Sequence, residues 1–170
     1  WTNHRYDSQD YRQIDPILGS QRAFDQLVTL SKTKGLKIVL DGVFNHMGKT
    51  ASRFKDANSN PNSPYRNWFV FGDEFPDGYR AWFGVKNLPE LNIEDPGVRH
   101  ELWSGPNSVV PFWLKRGADG WRLDVAIELG PKYLGEIRKA SQRAKPGSAV
   151  IGEISGYPNG WFDCLDGVFN

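Results

Sequence analysis

The chain has a single cysteine, Cys164, among its 170 residues. One thiol excludes an internal disulfide and any cysteine-based zinc site, a pattern that fits a reducing compartment without establishing one. No apolar run approaches the roughly 18 residues that cross a bilayer. There is no block of Lys or Arg, and the formal net charge is only +1. These absences argue against a membrane-spanning protein and against a nucleic-acid or anionic-membrane surface. The three histidines, His4, His46 and His100, stand in no HExxH-like spacing, and no GxxxxGK[ST] phosphate loop occurs. There is no Asn-x-Ser/Thr acceptor and no signal-peptide pattern, so the compartment stays open. The chain opens at Trp1 rather than Met, which leads us to expect a missing upstream segment.

What is present is globular in composition, 39% apolar and 24% charged, with 7 Trp, 6 Tyr and 10 Phe. So many aromatics either fill a core or line a cleft for a ligand with flat, weakly polar faces, as sugars have. Ser20–Gly35 reads as an amphipathic helix. Phe24, Leu27, Val28 and Leu30 or Ser31 follow helical spacing, Ser20 is the N-cap and Gly35 the stop. Leu36–Asp41 follows as a short apolar run of the kind buried on both faces in parallel sheets. The unit returns twice: Val110–Gly120 ends a helical stretch before Trp121–Val125, and Pro131–Gly147 feeds Ala149–Glu153. A last strand, Cys164–Phe169, gives an α/β chain with a parallel sheet.

The string LDGVFN occurs at Leu40–Asn45 and again at Leu165–Asn170. The repeat is architectural, a buried strand running into its polar exit. One interval is irregular: 83 residues separate Asp41 from Asp124, but 29 separate Asp124 from Glu153. The first interval is about 50 residues too long for a strand–helix–strand step. The excess, 49–96, is rich in Asn, Pro, Gly and aromatics and is expected to form a small inserted lobe serving a site. Its most mobile part is expected at Asn58–Pro64. The expected division is therefore 1–48, the inserted lobe 49–96, and 97–170.

Each strand ends in polar residues: Asp41 with Asn45 and His46, Arg122 with Asp124, then Glu153. In parallel α/β folds these ends face one crevice, where ligands bind. Arg122 and Asp124 share one side of their strand because side chains alternate. A guanidinium beside Asp124 is expected to keep that carboxylate ionised and aimed. Glu153, after the apolar AVIG, is expected to sit drier and hold its proton longer. Such a pair suits glycosyl transfer, in which one group attacks the sugar and the other protonates the leaving oxygen. A plain Arg–Asp ion pair bracing the sheet is the simpler structural reading. Phosphoryl transfer, suggested by IVLDG, lacks the second Asp two positions on, where Val43 stands.

The motifs DGVFNH (Asp41–His46), GWRLDVAIE (Gly120–Glu128) and VIGEIS (Val150–Ser155) resemble the first three strand-end motifs of the α-amylase superfamily. Asn3–Ser20 resembles the stretch before the first motif, and NLPELN (Asn87–Asn92) an extra motif near the end of that family's inserted lobe. Trp121 and Glu128 point within the superfamily to the neopullulanase, cyclomaltodextrinase and maltogenic amylase group. Against this narrower placement, that group usually carries Met-Pro-Lys-Leu where this chain has Leu88–Leu91.

The resemblance implies a partial (β/α)8 barrel, strands three to six, acting on α-glucans by a retaining double displacement. It makes Asp124 the nucleophile and Glu153 the general acid/base. Arg122 would orient Asp124, His46 would hydrogen-bond the sugar at the cleavage point, and Tyr6 would form its stacking floor. Trp82 would touch the leaving-side sugar; Asp41 and Glu128 complete the expected substrate-binding set. The superfamily's third carboxylate has no candidate here, and a fragment of this extent is expected to be inactive and poorly soluble alone. No cofactor is expected. Asn45 supplies a calcium ligand in some members, but its partners are not evident, so no metal is assigned. The expected partner is an α-glucan. Hydrolase and transglycosylase share the covalent intermediate, and a silent binding relative would be expected to lack Asp124 or Glu153. Linkage preference and oligomeric state are not encoded in these motifs.

Overall fold

A computed structural model describes residues 2–169. Trp1, and Asn170 at the end of the second LDGVFN, lie outside the described residues. In chain order the elements are α1 (Gln21–Thr33), β1 (Val39–Gly42), α2 (Ser52–Ser59), α3 (Pro96–Arg99), α4 (Val109–Lys115), β2 (Gly120–Leu123), α5 (Ala126–Ala144), β3 (Ala149–Glu153) and β4 (Gly167–Phe169). They fall into two compact units, Trp1–Asp10 with Val43–His100, and Tyr11–Gly42 with Glu101–Asn170. The expected lobe, 49–96, lies wholly within the first.

The second unit is built on an all-parallel sheet in the order β1-β2-β3-β4. α1 starts where Ser20 Oγ accepts the Ala23 N–H, the cap its sequence calls for. Its buried stripe is Phe24, Val28 and Ser31. Leu27 is 51% and Leu30 58% exposed, a correction for Leu27, which lies about 60° to one side of that stripe. α5 begins five residues before the expected Pro131 and breaks at Gly130 (φ 74, ψ 160). Pro131 then starts the second stretch, where its missing N–H costs nothing. The fourth strand is shorter than expected because Asp166 lies outside it. Its Oδ2 accepts the Val150 N–H and its own N–H donates to Val150 O.

The inner strands are the more buried, β2 at three of its four positions and β3 at alternate positions. Trp121, Leu123 and Val150 are at most 2% exposed, whereas Val39 in β1 is 44% and Phe169 in β4 55% exposed. β1 and β4 are the outer strands, each paired on one side, and this corrects the expectation for Leu36–Asp41.

The first unit holds its shape with rings and scattered bridges. Phe54 meets Phe69 and Tyr79 edge to face at 4.9 and 4.8 Å. All three are at most 3% exposed. Isolated antiparallel bridges join His46 to Glu90, Phe69 to Leu91, Phe71 to Tyr79 and Ala81 to Pro89. Asn58 and Ser59 close α2, and Ser63 hydrogen-bonds back to Asp56. Among the described residues no helix is long and apolar enough to cross a membrane.

Candidate active site

Parallel pairing places Asp41 of β1 directly beside Arg122 of β2. Arg122 Nη1 donates to both Asp41 oxygens at 2.8 and 3.0 Å and to Asp124 Oδ1 at 2.8 Å. Its Nη2 lies 2.8 Å from Glu153 Oε2. One guanidinium thus gathers three carboxylates delivered by three adjacent strands. Two positions along a strand return a side chain to the same face, so Arg122 and Asp124 meet as the alternation predicts.

The two expected catalytic carboxylates differ in exposure, in the reverse of the expected order. The Asp124 side chain is 7% exposed and that of Glu153 35%. Burial pushes the Asp124 pKa up to about 6; the Arg122 hydrogen bond and charge pull it down, and the negative charges of Asp41 and Glu153 add to the rise. Burial outweighs the guanidinium, yet at a pKa of about 6 Asp124 is still ionised at neutral pH and is aimed by its Arg122 hydrogen bond. Burial also works against the charge of Arg122, but Asp41, Asp124 and Glu153 more than offset it and its pKa rises.

Two contributors carried no sequence signal. Val125, just past Asp124, has φ 43 and ψ 47, a left-handed conformation rare for a β-branched residue. Its N–H donates to Glu153 Oε2 at 2.9 Å, so the turn that ends β2 also fixes the carboxylate ending β3. The Phe169 ring lies 5.8 Å from the Arg122 guanidinium carbon, a cation–π contact from β4. Glu128 is exposed in the first turn of α5, its N–H on Val125 O.

Tyr6, His46 and Trp82 belong to the first unit. His46 is 1% exposed, and its Nε2 lies 3.1 Å from Tyr6 O. A carbonyl only accepts, so Nε2 carries the hydrogen. Burial lowers the His46 pKa to about 4, against the raising effect of the Tyr6 hydrogen bond, and the ring is neutral at pH 7. The Trp82 ring packs on His46 at 5.5 Å, and Tyr6 stacks on His4 at 6.0 Å. The structure thus brings Asp41, Arg122, Asp124 and Glu153 together in one unit, and Tyr6, His46 and Trp82 in the other. A cavity of about 590 Å³ in the first unit is lined by Arg66, Asn67, Phe69, Phe71, Asn92 and Asp95 among others, and by none of the expected site residues. Among the described residues no three His, Cys, Asp or Glu side chains are grouped to hold a metal ion.

The family described as alpha amylase, catalytic domain, matches residues 1–151. A cyclomaltodextrinase from a Bacillus species is 36% identical over 99% of this chain and 31% of its own length. Neopullulanase 2 of Thermoactinomyces vulgaris is 36% identical over 99% of this chain and 30% of its own. The solved structure of an acarbose-soaked debranching enzyme from Nostoc punctiforme matches with a TM-score of 0.89 at 38% identity, covering 100% of this chain and 38% of that one. The chain therefore spans about a third of the length of the relatives it matches. The parallel strands and helices are part of an α/β barrel, as expected.

Proposed function

The chain belongs to the alpha-amylase family, and on that premise we propose that it carries the catalytic pair of a retaining glycoside hydrolase cleaving α-glucosidic bonds in starch-type glucans. The substrates would be maltooligosaccharides, pullulan or cyclodextrins. The observation that carries this reading is the shared guanidinium, 2.8 Å from both Asp124 and Glu153. Two such contacts and the fork between them keep the carboxylate oxygens within roughly 8 Å, a range that includes the retaining spacing.

Asp124, with a pKa of about 6, is ionised at neutral pH and attacks the anomeric carbon. Glu153 gives a proton to the departing glycosidic oxygen, then takes one from the water that releases the sugar from Asp124. Half-exposed at its strand end, Glu153 can exchange that proton with solvent. Its Oε2 is held by Val125 and Arg122, which leaves Oε1 for the substrate. Arg122 positions both groups. Trp82 supplies a ring for the leaving-side sugar and Tyr6 a stacking floor, while Asp41 and Glu128 complete the binding set. His46, whose Nε2–H is held by the Tyr6 carbonyl, would hydrogen-bond the sugar at the cleavage point.

The test compares wild type with Asp124→Asn and Glu153→Gln, each expressed from the full reading frame, on starch, pullulan and cyclodextrin. Asp124→Asn is expected to lose about four orders of magnitude in kcat. A loss smaller than roughly tenfold would remove Asp124 from the role.

A further inference from the structure

At the exit of β2 the backbone changes partners between one residue and the next. Asp124 N–H keeps to the strand ladder and donates to Gly42 O of β1 at 3.1 Å. Alternation turns the following N–H toward β3. There it leaves the ladder, because Val125 takes φ 43 and ψ 47, and it donates to Glu153 Oε2 at 2.9 Å. A β-branched residue is poorly suited to that conformation, which Gly or Asn adopts with less strain. On the far side the turn is fastened by Glu128 N–H, which donates to Val125 O at 3.1 Å. Strain that the surroundings over-determine in this way concentrates where a site uses it.

Both contacts of Glu153 fall on the same oxygen. Oε2 accepts the Val125 N–H and lies 2.8 Å from Arg122 Nη2. A hydrogen on Oε2 would face two donors, so negative charge gathers there and the carboxyl proton belongs on Oε1. Arg122 also serves Asp41 and Asp124, and its charge does not single out Glu153. The amide of Val125 does, and it is the chain neighbour of the attacking carboxylate. One backbone segment thus carries the nucleophile and aims the acid.

We propose that Val125 is a positioning residue for proton transfer, its left-handed turn aiming a backbone N–H that keeps the Glu153 proton on Oε1. This rests on the retaining-glycosidase reading. In the first step that proton passes to the glycosidic oxygen as its bond to the anomeric carbon breaks and Asp124 bonds the same carbon. A leaving group that departs as a stable anion needs no such proton. In α-maltosyl fluoride the C–F bond breaks with its electron pair on fluoride. Loss of the Val125 N–H therefore slows the departure of a sugar more than the departure of fluoride.

The experiment uses the protein from its full reading frame, with kcat/KM measured on maltotriose and on α-maltosyl fluoride. One variant carries 2-hydroxy-3-methylbutanoic acid at position 125, so that an ester oxygen replaces the N–H and the side chain is kept. Its kcat/KM should fall about tenfold more on maltotriose than on the fluoride, part of what general acid catalysis supplies. Val125→Gly keeps the donor and takes the turn with less strain, so it should hold the wild-type ratio between the two substrates. Equal losses of the ester variant on both substrates, or no loss on either, would overturn the proposal and leave Val125 a structural turn. A ratio shifted as far by Val125→Gly as by the ester would overturn it too, since the donor is still there. Glu153→Gln is the reference and should lose more on maltotriose than on the fluoride. No such contrast in Glu153→Gln, or a wild type that cleaves no α-glucan, would instead sink the functional reading itself.

Discussion

The two units place their polar groups by different means. In the second, adjacent parallel strands set Asp41, Arg122, Asp124 and Glu153 by register, and one guanidinium fork ties the three carboxylates together. In the first, Tyr6, His46 and Trp82 sit on irregular backbone and are located by a carbonyl, stacked rings and isolated bridges. Register is a discrete constraint, and losing its central cation leaves like charges facing each other. Ring packing is a sum of small contacts, and losing one ring leaves the others in place. The difference predicts unequal tolerance to substitution.

The largest contrast is between Arg122→Met and Trp82→Ala. Without the guanidinium, Asp124 and Glu153 lose their shared anchor, and kcat should fall by two to three orders of magnitude, the scale of losing one preorganised charge contact. Trp82→Ala should cost about tenfold, mainly in KM, because it removes binding area. Steady-state kinetics on maltohexaose checks both. Equal losses would erase the distinction between the two regions.

A smaller effect separates the units by the sign of their pH dependence. Asp124 has its folded pKa raised from 3.8 to about 6, so its contribution to stability is full below pH 3.8 and is lost as pH rises to 6. His46 has its folded pKa lowered from 6.5 to about 4, so its contribution is full above pH 6.5 and is lost as pH falls to 4. Each amounts to about 3 kcal/mol, and the two oppose each other between pH 4 and 6. Denaturant titrations at pH 6.5, 5 and 4 should show His46→Gln gaining stability on acidification and Asp124→Asn losing it. Parallel slopes in both variants would contradict the assigned burial.

Much of the second unit was legible because its cues are local. Ser20 and Gly35 bracket α1, and alternation along GWRLD puts Arg122 beside Asp124. The order of burial of the carboxylates was not legible. It depends on the left-handed Val125 turn at the exit of β2, whereas the apolar residues before Glu153 precede the strand end and leave it half-exposed. The exposure of β1 was hidden for a related reason, since an apolar run does not say how many neighbours its strand will have. In the first unit, His46 finds its acceptor 40 residues away at Tyr6, and no spacing rule encodes that. The left-handed turn at Phe83 (φ 49) was equally silent, since nothing in the segment marks which residue will take the strained position.

In the proposed mechanism Asp124 forms a bond to sugar during catalysis. Its most direct test is to incubate the protein from its full reading frame with 5-fluoro-α-glucosyl fluoride, digest it with pepsin and read the peptides by mass spectrometry. One fluoroglucosyl group is expected on the peptide containing Asp124, absent from Asp124→Asn. A label on the Glu153 peptide, or full turnover with inverted anomeric configuration and no labelled peptide, would contradict it.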